Sequence, residues 1–171
     1  MVVKTKGEFY RAMARGLREL GTGEAAALAA DALAETILAF DFGLRRIGVA
    51  VGQTITGSAS PLGTATNRES GIDREAIAAL IKEWRPDVLV VGMPMHADGS
   101  ASDMQEPVEE FIEELRAFGL PIETVDERYT SIEAERVLKE ARAAGSRGRI
   151  GKEDIDSAAA VFIAERYLAS E

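Results

Sequence analysis

Residues 36–51 read Thr36-Ile37-Leu38-Ala39-Phe40-Asp41-Phe42-Gly43-Leu44-Arg45-Arg46-Ile47-Gly48-Val49-Ala50-Val51. Ile37 to Phe40 is a short apolar run that ends on a carboxylate, the pattern of a buried strand with a polar residue at its C-terminal end. Gly43 to Arg46 supply a turn, and Ile47 to Val51 return as a second strand. A third strand is expected between Thr54 and Ala65. Downstream the period changes. Ile72, Ala76, Ile77, Leu80, Ile81 and Trp84 recur at helical spacing, and Pro86 closes that helix. The β-branched run Val88-Leu89-Val90-Val91 then reads as a central strand, stopped by Gly92-Met93-Pro94. Ser102-Asp103-Met104-Gln105 has the form of a capping box, followed by the apolar stripe Val108, Phe111, Ile112 and Leu115. Pro121 to Val125 is a further strand, ending at Asp126-Glu127. Thr130-Ser131-Ile132-Glu133 is a second capping box, opening a helix to about Ala144. Gly145 to Gly151 is glycine-rich and basic, and a last helix is expected from Glu153 to Leu168. Three strands, then helix, strand, helix, strand and two helices predict an α/β fold: a mixed five-stranded sheet with helices on both faces.

The first 35 residues differ from this core. Phe9, Met13, Leu17 and Leu20 have the spacing of one short amphipathic helix. Gly21-Thr22-Gly23 breaks it, and an alanine-rich run to Glu35 suggests a second. Residues 1–35 are therefore expected to be a helical extension, and residues 36–171 the functional domain.

With 171 residues, 46% of them hydrophobic and 29% charged, the chain can bury a core and remain soluble. Cysteine is absent, which excludes disulfides, thiolate zinc sites and a cysteine nucleophile. The single histidine, His96, excludes a multi-histidine metal site, and it reads as a loop residue facing solvent. A net charge of −9 argues against non-specific coating of nucleic acid or membrane but leaves room for a local basic groove. No membrane span or signal peptide is recognisable, so a cytoplasmic location is expected.

Acids that fall at element ends carry the candidate chemistry. Asp41 closes the first strand, Asp126 and Glu127 the last, and Asp156 lies in the first turn of the final helix. Such acids serve ordinarily as caps and dipole partners. Gathered together they would repel one another unless a cation neutralised them. Hard divalent ions take oxygen ligands, and a pair of them supports phosphodiester cleavage. Adjacent residues on a strand point to opposite faces, so spacing leaves open whether Asp126 or Glu127 would be the ligand. Arg45, Arg46, Arg128, Lys139, Arg142, Arg147, Arg149 and Lys152 form a candidate phosphate-binding rim. For Lys139 and Arg142 a solvated helix face explains the charge equally well. Gly43, Gly48, Gly92 and Gly99 suit turns or close backbone approach.

Asp41-Phe42-Gly43-Leu44-Arg45-Arg46-Ile47-Gly48-Val49-Ala50-Val51, Gly92-Met93-Pro94, Asp98-Gly99-Ser100, Asp126-Glu127-Arg128-Tyr129-Thr130-Ser131 and Ile155-Asp156-Ser157-Ala158-Ala159 follow one another in the order and spacing of a single family. Over residues 36 to 169 the chain resembles the bacterial YqgF-type proteins, the Holliday-junction-resolvase-like, pre-16S ribosomal RNA nuclease family. The resemblance implies a ribonuclease-H-like fold and a hydrolase. It implies catalytic and metal-ligating roles for Asp41, Asp126 or Glu127, and Asp156, with Mg²⁺ or Mn²⁺ in a two-metal site. Expected partners are structured RNA (pre-16S rRNA) or branched DNA, and a ribosomal subunit, acted on by a monomer or homodimer. Position 44, often threonine in the family, is leucine here, which removes any polar role at that point. Two other classes stay open: an actin-like or sugar-kinase-like nucleotide binder, disfavoured because a single core cannot enclose the nucleotide, and a non-catalytic ribosome or transcription partner.

Overall fold

The structure, a computed structural model, describes residues 34–96, 98–127, 136, 139 and 152–170. The proposed N-terminal helices, the second capping box and the glycine-rich basic stretch lie outside these. The elements are β1 (Thr36–Phe42), β2 (Arg46–Gln53), β3 (Ser58–Arg68), β4 (Gly71–Ile72), α1 (Arg74–Trp84), β5 (Val88–Met93), α2 (Gln105–Leu115), β6 (Ile122–Asp126) and α3 (Lys152–Ala169). They build a six-stranded sheet in the order β4-β3-β2-β1-β5-β6. One strand more than the expected five is present. The addition is β4, whose two residues pair with Asn67 and Arg68 at the end of β3 and are too short to give a periodic signal. The third strand runs to Arg68 rather than Ala65, because β3 stays paired with β2 as far as Thr66 and then with β4 at Asn67 and Arg68.

β1, β2 and β3 are antiparallel, whereas β5 runs parallel to β1 and β6 parallel to β5. The two parallel strands require crossovers, and α1 and α2 provide them. The sheet is therefore mixed, as the element order implies.

Strand alternation divides the core in two. Leu38, Phe40, Ile47, Val49, Leu89 and Val91 point to one face, where they meet Ile77 of α1 and Val108, Phe111, Ile112 and Leu115 of α2. Phe111 anchors this layer, stacking edge-on to Phe40 with ring centroids 5.8 Å apart and lying 5.1 Å from Phe42. Ile37, Ala39, Val88 and Val90 point to the other face and pack on Ile163, Ala164 and Tyr167 of α3. Helices thus cover both faces.

Local chemistry sets the element ends. Asp73 caps α1 by accepting from the Ala76 N–H at 3.0 Å, and Arg85 ends the helix in the left-handed conformation, φ 46°. The capping box expected at Ser102 does not form: α2 begins at Gln105 with Met104 as its N-cap, and Ser102 Oγ accepts from the Met104 N–H at 3.0 Å instead. That bond makes a local turn before the helix, the usual competing use of a serine.

Candidate active site

The face covered by α3 carries the acids. Asp41 lies two residues beyond Ala39 on β1, so it shares the side of the sheet on which Ile37 and Ala39 meet α3. Its cross-strand partner on β2 is Gly48. A Cβ at Gly48 would lie 2.0 Å from the carbonyl oxygen of Asp156, so only glycine lets the first turns of α3 rest on β2. Ser157, next in line and buried, accepts from the Gly63 N–H at 3.3 Å and ties the same turn to β3. Asp156, Ile163 and Tyr167 lie at helical intervals along α3, so the stripe that packs on the sheet brings the Asp156 backbone onto it.

Glu127 comes from the other side. Its N–H donates to the Met93 carbonyl at 3.2 Å, continuing the β5–β6 ladder past the end of the strand. Its carboxyl fills the space over Gly92, where a Cβ would lie 2.4 Å from Glu127 Oε2 and 2.5 Å from Ile163 Cδ1. There it is hydrogen-bonded to Asp41. The two residues sequence spacing could not separate therefore differ. Val125 packs toward α3, so alternation puts Glu127 on the α3 side, beside Asp41, and Asp126 on the α2 side. Arg166 of α3 donates to the Asp126 backbone carbonyl and holds the end of β6 from below.

Burial lifts the Asp41 carboxyl to about 6, the bond from Glu127 working against the rise and the Asp156 charge adding to it. Burial, followed by the Asp41 charge, lifts Glu127 to about 9. At neutral pH Glu127 therefore keeps its proton and donates it to the Asp41 carboxylate. Both groups bind protons more tightly folded than unfolded, so this stabilisation is full below their ordinary range and is lost as pH rises through about 6 and then about 9. Thermal melts of metal-free protein in chelator are expected to fall between pH 5 and 9, and Glu127→Gln should flatten the dependence. A melt insensitive to pH would refute the shared proton.

Asp156 does not join the pair. Its Oδ2 accepts from Arg46 Nε at 3.1 Å. Among the described residues no three histidine, aspartate or glutamate side chains form a group that could hold a metal ion. The donor set nevertheless suits a hard divalent cation: two half-buried carboxyls in contact, oxygen ligands only, and a third carboxylate close enough to raise the pKa of Asp41.

The basic candidates divide. Arg46 meets Asp156, while Arg45 is exposed at the hairpin tip beside Leu44. Asn67 fixes that tip, donating from Nδ2 to the Gly43 carbonyl at 2.8 Å and from its N–H to the Arg45 carbonyl at 2.9 Å. Lys139 is helical and exposed, and Lys152 opens α3 rather than sitting in the preceding glycine-rich stretch. Arg128, Arg142, Arg147 and Arg149 lie outside the described residues. His96 is exposed in the turn bridged by Met95 and Ala101. Asp98 in that turn accepts from Ser100 Oγ and N–H, which lowers its pKa. Arg166 was not legible as a site residue, since nothing in the spacing of α3 connects it to β6.

A family model described as "RuvX: Holliday junction resolvase" matches residues 35–170. The chain is similar to a Burkholderia lata protein named "Putative pre-16S rRNA nuclease", 46% identical over 140 residues, covering 81% of this chain and 92% of that one. A Chromohalobacter salexigens protein of the same name is 44% identical over 143 residues, covering 83% and 95%. Among solved structures, the fowlpox virus resolvase in complex with Holliday junction DNA superposes with a TM-score of 0.50 at 12% identity, over 79% of this chain and 97% of that one. At that identity the likeness concerns the fold.

Proposed function

From its membership of the RuvX Holliday junction resolvase family, with the ribonuclease-H-like fold, we propose that this chain is a metal-dependent endonuclease that matures the 5′ end of pre-16S ribosomal RNA. The observation that carries the reading is the half-buried Asp41–Glu127 carboxyl pair, with Asp156 of α3 close enough for its charge to act on Asp41. Relatives about 45% identical over most of the chain, named as pre-16S rRNA nucleases, favour RNA as the substrate. The family's description as a resolvase supports a second reading, cleavage of branched DNA. Residues 1–35 are an appendage to the nuclease domain, almost wholly outside the matched stretch. The location is cytoplasmic; no helix among the described residues is long and apolar enough to cross a membrane.

Asp41, Glu127 and Asp156 would hold Mg²⁺ or Mn²⁺, with Asp126 supporting the strand end. Bound there, the ion supplies Lewis acidity toward the phosphodiester and the attacking water. Glu127 must give up its proton for the site to load, so loading is favoured as pH rises. Arg45 at the fixed hairpin tip, together with Arg46, Arg128, Arg147, Arg149 and Lys152, positions the phosphate backbone. Glu106, Glu109, Glu110 and Glu113 line a groove between α2 and β6, where phosphate would be repelled. Substrate therefore approaches on the α3 side.

Two measurements test this. Purified protein is expected to cut a 16S precursor in Mg²⁺, and not in chelator, faster than it cuts a four-way DNA junction. The reverse preference would favour the resolvase reading, and no metal-dependent cleavage of either would sink both. Replacing Arg147, Arg149 and Lys152 together by alanine should lower the log–log salt slope of substrate binding by roughly 0.7–0.9 per lost contact. An unchanged slope would remove these residues from the phosphate rim.

A further inference from the structure

The Asp156 backbone has little freedom. Its carbonyl oxygen stands where a side chain at Gly48 would begin, so the turn of α3 that carries it is seated directly on β2. Arg46 lies two residues before Gly48 on the same strand and points to the same face. Asp41 is the cross-strand partner of Gly48 and shares that face. The Asp156 carboxylate is thus near two opposed groups: the Arg46 guanidinium, and Asp41, on which its charge acts. It bonds the guanidinium, Nε to Oδ2 at 3.1 Å, with both side chains about two-thirds buried, at 33% and 30% exposure.

We propose that Arg46 is a positioning residue, an internal counter-ion that holds Asp156 away from the Asp41–Glu127 pair until a divalent cation competes for it. The inference rests on the reading of these acids as a metal site. With the backbone fixed, a side-chain rotation of Asp156 is the smallest movement that adds the third carboxylate, and it frees the Arg46 guanidinium for a substrate phosphate. Loading and substrate capture are then linked: the cation takes Asp156 from Arg46, and a phosphate on Arg46 lowers the competition for Asp156. Arg46 therefore opposes metal binding while favouring substrate binding. A residue that merely braced the fold would weaken both when removed.

The test is titration of full-length wild type, Arg46→Gln and Arg46→Lys with Mn²⁺ alone, followed by calorimetry and the Mn²⁺ electron-spin signal. Arg46→Gln should bind Mn²⁺ about two- to five-fold more tightly, the scale of a partly exposed ion pair. Arg46→Lys, which keeps the charge, should stay near wild type. Unchanged or weaker binding by Arg46→Gln would overturn the assignment. Wild type supplies an arm that needs no variant: the Arg46 Nε–H resonance should shift and exchange faster with solvent as Mg²⁺ saturates the protein. A resonance that does not respond also overturns it. Asp41→Asn separates the two levels. If it binds Mn²⁺ as tightly as wild type, the metal-site reading falls and takes the Arg46 proposal with it. If it loses binding while Arg46→Gln gains none, only the role of Arg46 falls.

Discussion

Asp41→Asn is expected to lower Mg²⁺- or Mn²⁺-dependent cleavage by about 10³-fold or more, because an amide is a poor ligand for a hard cation and supplies no compensating charge. The same protein, free of metal, should melt at the wild-type temperature or above it. Asp41 is half-buried against a second carboxyl, and loss of solvent is the largest force raising its pKa, so a charge at this position opposes folding. Loss of activity without loss of stability separates a ligand from a structural cap, which would show the reverse. Rates and melting curves recorded on one preparation decide between them. Near-wild-type cleavage by Asp41→Asn would remove the residue from catalysis.

Gly48→Ala should cost about 3 kcal/mol of folding stability, at the upper end of overpacking effects, since the new methyl would meet a backbone carbonyl 2.0 Å away. Neither partner can rotate aside: one atom belongs to a central strand and the other to the first turns of α3. Gly52→Ala is the internal control. It lies on the same strand and the same face, but its new methyl would meet the ends of Leu168 and Ile37 at 3.1 and 3.2 Å, side chains that can give by a few tenths of an ångström. Denaturant melts should therefore show a large loss for Gly48→Ala and a small one for Gly52→Ala. Equal effects would mean that α3 does not sit on β2 as described.

Most of this architecture is legible from short-range pattern. The β1–β2 hairpin, the β5 run and the stripe of α2 each repeat with their own period, and the structure places them where those periods predict. β4 escaped because two residues define no period. The choice between Asp126 and Glu127 escaped for a related reason: alternation says that they oppose one another, and only the packing of Val125 against α3 says which side is which. The pairing of Arg46 with Asp156 spans 110 positions. Nothing in either neighbourhood announces it, since an arginine in a turn and an aspartate in a first helical turn are both commonplace. Beside the acids at element ends, glycine inside β2 and β5 was a local clue to the site. A strand gives up packing and gains backbone entropy loss at such a position, so something must approach there.

The seating of α3 also has a bearing on biosynthesis. Asp41 and Glu127 leave the ribosome before any residue of α3 does, and Asp156 follows them by 29 and more positions in the chain. Until α3 docks, Ile37, Ala39, Val88 and Val90 have lost the helix that covers them. A nascent chain at that stage holds an acid pair open to water and an apolar sheet face that invites chaperones or other chains. One docking event then hides the face and delivers Asp156. By this reading a nuclease of this build would become competent only once α3 has docked on the sheet.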